Sequence, residues 1–214
     1  MILVIASGNA GKLREYRALL GDLGLELRSL ADFPSAPPVA ETGATYVANA
    51  RAKAHALALH CRLPVLADDS GIEVDALGGA PGVRSARFAA DAMQRSAPSD
   101  DRTNVALLLG RMRRVQDDRR TARFRCAIVV VHPDGRELVA EGACEGLITH
   151  APRGGDGFGY DPVFLYPPFE RTFAELSPEE KDRLSHRARA VEQLRPALLG
   201  FLHERHGPRG RPKR

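Results

Sequence analysis

The chain has 214 residues, 43% of them hydrophobic, which fits one domain or a closely joined pair of lobes of ordinary soluble composition. No apolar run approaches the roughly 20 residues that span a membrane, and Met1–Ala6 is too short and has no basic flank for a signal peptide. Three cysteines, Cys61, Cys126 and Cys144, are odd in number and lack metal-ligand spacing, as in a reduced, cytoplasmic protein.

The net charge of +4 is unevenly spread. Arg205, Arg209, Arg211, Lys213 and Arg214 crowd the last ten residues with no acid among them, and without them the remainder is close to neutral. Residues 204–214 therefore read as a basic, disordered, solvated tail rather than a nucleic-acid arm, and residues 1–203 as the folded domain. Of 31 Lys and Arg residues only Lys12, Lys53, Lys181 and Lys213 are lysine. The three in the body each lie in a candidate motif, where a compact ammonium serves better than a planar fork.

In chain order, a strand at Ile2–Ala6 runs into Ser7-Gly8-Asn9-Ala10-Gly11-Lys12. Leu13, Tyr16, Leu19, Leu20 and Leu23 then recur at helical spacing. Strand, glycine-containing loop and helix aim N–H groups and a helix N-terminus at an anion. Ser7 and Asn9 add side-chain hydrogen bonds, and Lys12 adds a point charge. A plain strand-to-helix turn is the alternative. The loop is not a Walker P-loop, which needs Gly at Ala6 and Ser or Thr at Leu13. A short strand over Leu25–Leu30 and a proline-rich connection, Pro34–Val39, follow. Tyr46–Cys61 is an alanine-rich helix with Asn49 and Lys53 on one face. Glu41, just before it, either favours the helix dipole or adds a carboxylate to the next segment.

That segment is the centre of the chain. Pro64-Val65-Leu66-Ala67 reads as a buried strand ending on Asp68 and Asp69, then a Ser70-Gly71 turn and a second short strand, Ile72–Val74, closed by Asp75. Adjacent strand residues face opposite ways, so the two aspartates need not share one job. Carboxylates at the end of an apolar strand are costly unless a metal, a cation or a helix N-terminus answers them; a solvated turn is the other reading.

Gly78–Val83 is a tight loop leading to Arg84, which reads as exposed, and Arg87, a candidate partner of the carboxylates. An amphipathic helix falls within residues 91–120, its apolar face formed by Val105, Leu108, Leu109 and Met112. Thr121–Val131 is a buried strand and Arg136–Ile148 its return, with Gly142 and Gly146 as candidate bulges. The loop Arg153–Pro162 frees Phe158 or Tyr160 to stack on a flat ligand, or else is a hairpin with a buried Phe. Ser177-Pro178-Glu179-Glu180 is a capping box. Ser185 reads as a second N-cap, placing His186 and Arg187 in the first turn of the last helix, where a cation opposes the dipole and points to a ligand or an acidic neighbour. An anion-cradling loop, lysines, carboxylates and an aromatic Gly-rich loop together suit a nucleoside triphosphate with a divalent ion.

Five blocks also resemble the inosine/xanthosine triphosphate pyrophosphatases, in that family's order. They are Ser7–Lys12; Glu41-Thr42-Gly43 with Asn49 and Lys53; Ala67–Gly71 through Val74–Leu77 to Pro81–Val83 and Ser85–Arg87; Gly157–Phe164; and Lys181 with Leu184–Arg187. Arg84, where the family usually has Tyr, and the basic tail are departures. The resemblance implies an α/β fold with a mixed, twisted central sheet and helices, two lobes flanking a deep active-site cleft, and a homodimer. It implies Mg²⁺-dependent hydrolysis of dITP, ITP or XTP to the monophosphate and pyrophosphate. It makes Asp69 the general base, and Asp69, Glu41 and Asp68 the metal ligands. Substrate contacts are assigned to Ser7, Gly8, Asn9, Ala10, Gly11, Lys12, Asn49, Lys53, Ser70, Phe158, Gly159, Tyr160, Asp161, Lys181, His186 and Arg187.

Overall fold

The computed structural model describes residues 1–95 and 99–203; the basic tail from residue 204 lies outside the described residues. Seven strands, β1 (Ile2–Ile5), β2 (Glu26–Ser29), β3 (Val65–Val74), β4 (Thr121–Val131), β5 (Glu137–Ile148), β6 (Phe164–Tyr166) and β7 (Arg171–Thr172), form one open mixed sheet of order β2-β1-β3-β4-β5-β6-β7. β2, β1 and β3 run parallel, and every pairing from β3 onward is antiparallel. The helices are α1 (Ala10–Leu20), α2 (Tyr46–Cys61), α3 (Phe88–Ala92), α4 (Asp101–Arg111), α5 (Pro178–Leu184) and α6 (His186–His203). Among the described residues no helix is long and apolar enough to cross a membrane.

Strand alternation sorts the core. Leu3, Ile5, Leu66, Cys126, Ile128 and Val130 pack with Tyr16 and Leu20 of α1 and Val191, Leu194 and Leu198 of α6. Val4, Val65, Ala67, Val129 and Val131 face the other way, onto Ala50, Ala54 and Leu57 of α2. The crossover through α1 thus covers one face of the sheet and that through α2 the opposite face. The connections part between β1 and β3, and in open α/β sheets that point opens a ligand crevice at the carboxyl ends of the strands. A third cluster, with Ile72, Val74, Leu108, Phe124, Phe164 and Phe173, forms the other lobe beside the first.

β3 is longer than its sequence pattern predicts. It runs unbroken from Val65 to Val74 and pairs with β4 from Val65↔Val131 to Val74↔Ala122, with no turn at Ser70-Gly71. Gly71 is there for close approach: a Cβ would come within 2.3 Å of the Gly82 carbonyl, and the neighbouring Ile72 N–H donates to Ser85 Oγ at 2.9 Å. Gly142 and Gly146 are likewise not bulges, since β4 and β5 stay in register throughout. A Cβ on Gly142 would meet the His186 carbonyl at 2.2 Å, so the bare glycine lets α6 lie directly on β5. Within residues 91–120 the regular helix is confined to α4, with Val105 and Leu108 inward and Met112 at its C-cap.

Arg120 joins α4 to β5 without an acidic partner. It is 3% exposed and donates to four carbonyls, Met112, Val115, Ile148 and Thr149, at 2.6–3.2 Å. Two of these acceptors follow the end of α4, where a cation suits the dipole, and the planar fork reaches all four as an ammonium cannot. Arg120→Lys is expected to destabilise the protein by about 2–3 kcal/mol, as buried carbonyls lose their donors. A lowered urea midpoint at unchanged slope would show it; an unchanged midpoint contradicts the role.

Candidate active site

Between the two lobes lies a cavity of about 610 Å³ whose floor is the middle of β3. Along one face of that strand the residues read Leu66, Asp68, Ser70, Ile72. The polar pair thus interrupts an apolar row just where the first core ends and the second begins. Asp69 points to the opposite face.

The two aspartates have different partners. Asp68, 2% exposed, accepts from Lys12 Nζ at 2.8 Å and from Arg187 Nε at 3.4 Å, both on Oδ2. Burial alone would raise its pKa, but Lys12 and Arg187 outweigh that and hold it at about 2. Asp69 accepts from Asn49 Nδ2 at 2.8 Å. Its pKa is raised, first by burial and then by the charge of Glu41, against the pull of Lys53 and Asn49. The sheet thereby pairs one carboxylate with two cations and leaves the other with an amide partner and a raised pKa.

Glu41 does not cap α2; Thr45 does, accepting from Ala48 N–H at 3.1 Å. Glu41 sits at the cavity, where Lys53 Nζ lies 2.7 Å from its Oε1 and Arg87 donates to its backbone carbonyl. Asn49 and Lys53 share the inward face of α2, as their spacing predicts. Asn49, though, is 2% exposed and bridges Gly43 N–H to Asp69, so it positions the carboxylate from behind the cavity wall.

In the first loop, Ser7 Oγ accepts from Asn9 N–H and Asn9 Oδ1 accepts from Lys12 N–H, so Asn9 is the N-cap of α1. Ser7, Gly8, Asn9 and Lys12 line the cavity. Ala10 and Gly11 begin the helix instead, and a Cβ on Gly11 would come within 2.5 Å of the Phe158 ring. That ring lies over Lys181 Nζ at 4.7 Å and Arg187 Cζ at 5.4 Å. Tyr160 donates its hydroxyl to the Ser85 carbonyl at 2.9 Å. Asp161 Oδ2 accepts from Phe158 N–H at 2.9 Å and from Lys181 Nζ at 2.6 Å. Phe158, Gly159, Tyr160 and Asp161 all reach the cavity, but the polar groups of Tyr160 and Asp161 serve to hold the loop.

At the same end, Ser185 caps α6 through Ala188 N–H, and His186 and Arg187 occupy the first turn. Arg187 answers the acidic neighbours its position predicts: Glu15 through Nη1 and Asp68 through Nε, while Nη2 donates to Ser70 Oγ at 2.9 Å. His186 is 3% exposed, stacks on Phe124 at 4.7 Å, and among the described residues has no hydrogen-bond partner at Nδ1. Burial first, then Arg187 and Lys181, push its pKa well below the ordinary range, so it is a neutral imidazole with one donor and one acceptor. Glu15 is the main residue that sequence reasoning missed. It pairs with Lys181 Nζ at 2.9 Å and with Arg187, whose position lies 172 residues away, a distance no local pattern spans.

Among the described residues no three His, Cys, Asp or Glu side chains form a metal cage. Mg²⁺ in phosphate chemistry needs none, since one or two carboxylates plus phosphate oxygens and waters complete its shell. Glu41 and Asp69, both at the cavity and close enough for one charge to raise the other's pKa, fit that role. Asp68 fits it less well, with Oδ2 already taken by two cations.

Residues 3–197 match the Ham1 family. The chain belongs to the Ham1 family. Within it, the chain is 51% identical to a dITP/XTP pyrophosphatase of Geobacillus kaustophilus, over 90% of this chain and 91% of that one. It is 46% identical to one of Streptomyces avermitilis, over 94% and 98%. Among solved structures, a Ham1 protein from Coxiella burnetii shares 40% identity with a TM-score of 0.82, covering 94% of this chain and 99% of that one. A nucleoside-triphosphatase, dITP/XTP pyrophosphatase, from Mycobacterium abscessus shares 45% with a TM-score of 0.72, covering 92% and 100%.

The split between the aspartates gives a sharp contrast. Asp68→Asn leaves Lys12 and Arg187 short of a counter-charge and is expected to cost about 3 kcal/mol or more. Asp69→Asn should stay within about 1 kcal/mol of wild type while losing roughly 10³-fold in kcat. Denaturation and kinetics of the pair decide it, and equal stability losses would contradict the assignment. Asn49→Ala removes a bond that lowers the Asp69 pKa. The acid limb of kcat/KM should therefore move to higher pH, with activity down roughly 10–100-fold; a limb that stays put would deny Asn49 that influence.

Proposed function

We propose that this Ham1 chain is a nucleoside-triphosphate diphosphatase that hydrolyses dITP, ITP and XTP to the monophosphate and pyrophosphate in the presence of Mg²⁺, removing deaminated purines from the nucleotide pool. The observation that carries the reading is Asp69. It is a carboxylate of raised pKa beside Glu41 and Lys53, at the cavity that Lys12 and the first loop also line. The names of the relatives give the substrate class.

Asp69 is the general base that takes a proton from the attacking water, and a raised pKa suits that task near neutral pH. Glu41 and Asp69 would hold Mg²⁺, which would supply charge neutralisation for the phosphates and a lowered pKa for water. Lys12 and Lys53, now paired with Asp68 and Glu41, are the cations set to meet phosphate oxygens. Phe158 stacks on the base. The neutral His186 lines the cavity; a ring N–H presented there suits a 6-oxo acceptor and is left unpaired against a 6-amino group. Arg187 and Lys181 hold the geometry behind these contacts. The assembly implied by the family resemblance is a cytoplasmic homodimer.

The test is a product assay with Mg²⁺ on ITP, XTP, dUTP and GTP. The expected products from ITP are IMP and pyrophosphate, with kcat/KM for ITP and XTP roughly 10²-fold or more above that for GTP, as discrimination by hydrogen-bonding groups allows. Equal values for GTP, or release of orthophosphate, would replace this reading with a general nucleotidase or a phosphomonoesterase.

A further inference from the structure

Asp101 is the first residue of α4, in the lobe opposite α1 and α6, and is exposed at the cavity. It does not cap its helix; Asp100 does, accepting from Thr103 N–H at 2.7 Å. Its carboxylate is aimed instead at the Gly-rich loop, where Oδ2 accepts from Gly159 N–H at 2.7 Å. That is the length of a charge-assisted bond, and the start of a helix is where a negative charge is favoured.

Toward its start the loop is tied by Arg153 N–H to the Pro162 carbonyl and by Asp156 N–H to the Ala174 carbonyl. Gly159 has φ +62°, a left-handed conformation that turns its N–H out of the chain's own hydrogen bonding. Phe158 N–H is held by Asp161, and Tyr160 by its hydroxyl on the Ser85 carbonyl and its own carbonyl under Val163 N–H. Asp101 and Asp161 therefore grip successive N–H groups, Gly159 and Phe158, the first from α4 and the second from within the loop. Between them they fix the backbone that carries the Phe158 ring against Gly11, Lys181 and Arg187.

We infer that Asp101 is a positioning residue for base recognition: by holding the Gly159 peptide it sets the place of the Phe158 ring, and so governs affinity for the purine and not the hydrolytic step. The inference rests on the proposed purine site. Its action is through an acceptor oxygen, so an amide that keeps that oxygen replaces it.

The experiment is a double-mutant cycle on the full chain, reading ITP affinity by calorimetry without metal and KM and kcat with Mg²⁺. Asp101→Ala is expected to raise both Kd and KM for ITP roughly tenfold, with kcat within about twofold of wild type. Asp101→Asn is expected to restore most of the affinity. In a Phe158→Ala background, Asp101→Ala is expected to add no further loss, because the ring it positions is gone. Unchanged affinity in Asp101→Ala, a loss confined to kcat, failure of Asp101→Asn to restore binding, or additive losses with Phe158→Ala would each overturn the inference. A wild-type protein that binds ITP without cleaving it would overturn the proposed reaction alone, and the affinity arm would still decide Asp101.

Discussion

Two neighbouring carboxylates on an extended strand cannot face the same way. In β3 this geometry turns Asp68 toward α1 and α6 and Asp69 toward α2. The faces differ in what they offer. One supplies Lys12 and Arg187, full charges that keep Asp68 ionised. The other supplies an amide and a more distant ammonium, too little to overcome burial. The contrast between a fixed anion and a proton acceptor is thus a product of pleat and packing, not of residue type, and it requires the strand to run unbroken through Ser70 and Gly71.

Behind Asp68 the charges balance. Glu15, Asp68 and Asp161 interleave with Lys12, Lys181 and Arg187 as a set of three acids and three bases, all buried but the half-buried Lys12. Ionic groups in a core give poor stability for their desolvation cost. Their value here is positional: the set ties α1, β3, α5, α6 and the Phe158 loop to one another at the cavity. A purely apolar core at this place would hold the elements together without fixing donors and acceptors around a ligand.

Much of this was legible in the sequence. The first strand, β4 and β5 follow from apolar patterning, α2 from its alanine-rich helix propensity, the capping box at Ser177 from local chemistry, and the pairing of Asn49 with Lys53 on one helix face from spacing. The Ser70-Gly71 pair misled because its glycine answers a segment across space, Gly82–Ser85, and looks the same in one dimension as a glycine that turns the chain. Gly142 misled for the same reason, its partner being α6. Glu15 and Asp101 were invisible because an acid in a helix is ordinarily solvated; only the fold brings Lys181 and Gly159 to them. Tyr160 and Asp161 were found for their place in the loop, yet their polar groups grip the protein.

The ion set also joins an early helix to a late one, Glu15 of α1 to Arg187 of α6. During synthesis on the ribosome, α1 emerges long before the cations that neutralise Glu15. Until α5 and α6 follow, that acid lacks Lys181 and Arg187, the aromatic loop lacks the Lys181 that holds Asp161, and the cleft lacks its imidazole. A chain cut before α6 therefore carries a complete β3 whose Asp68 lacks Arg187, and a Glu15 that lacks the same guanidinium.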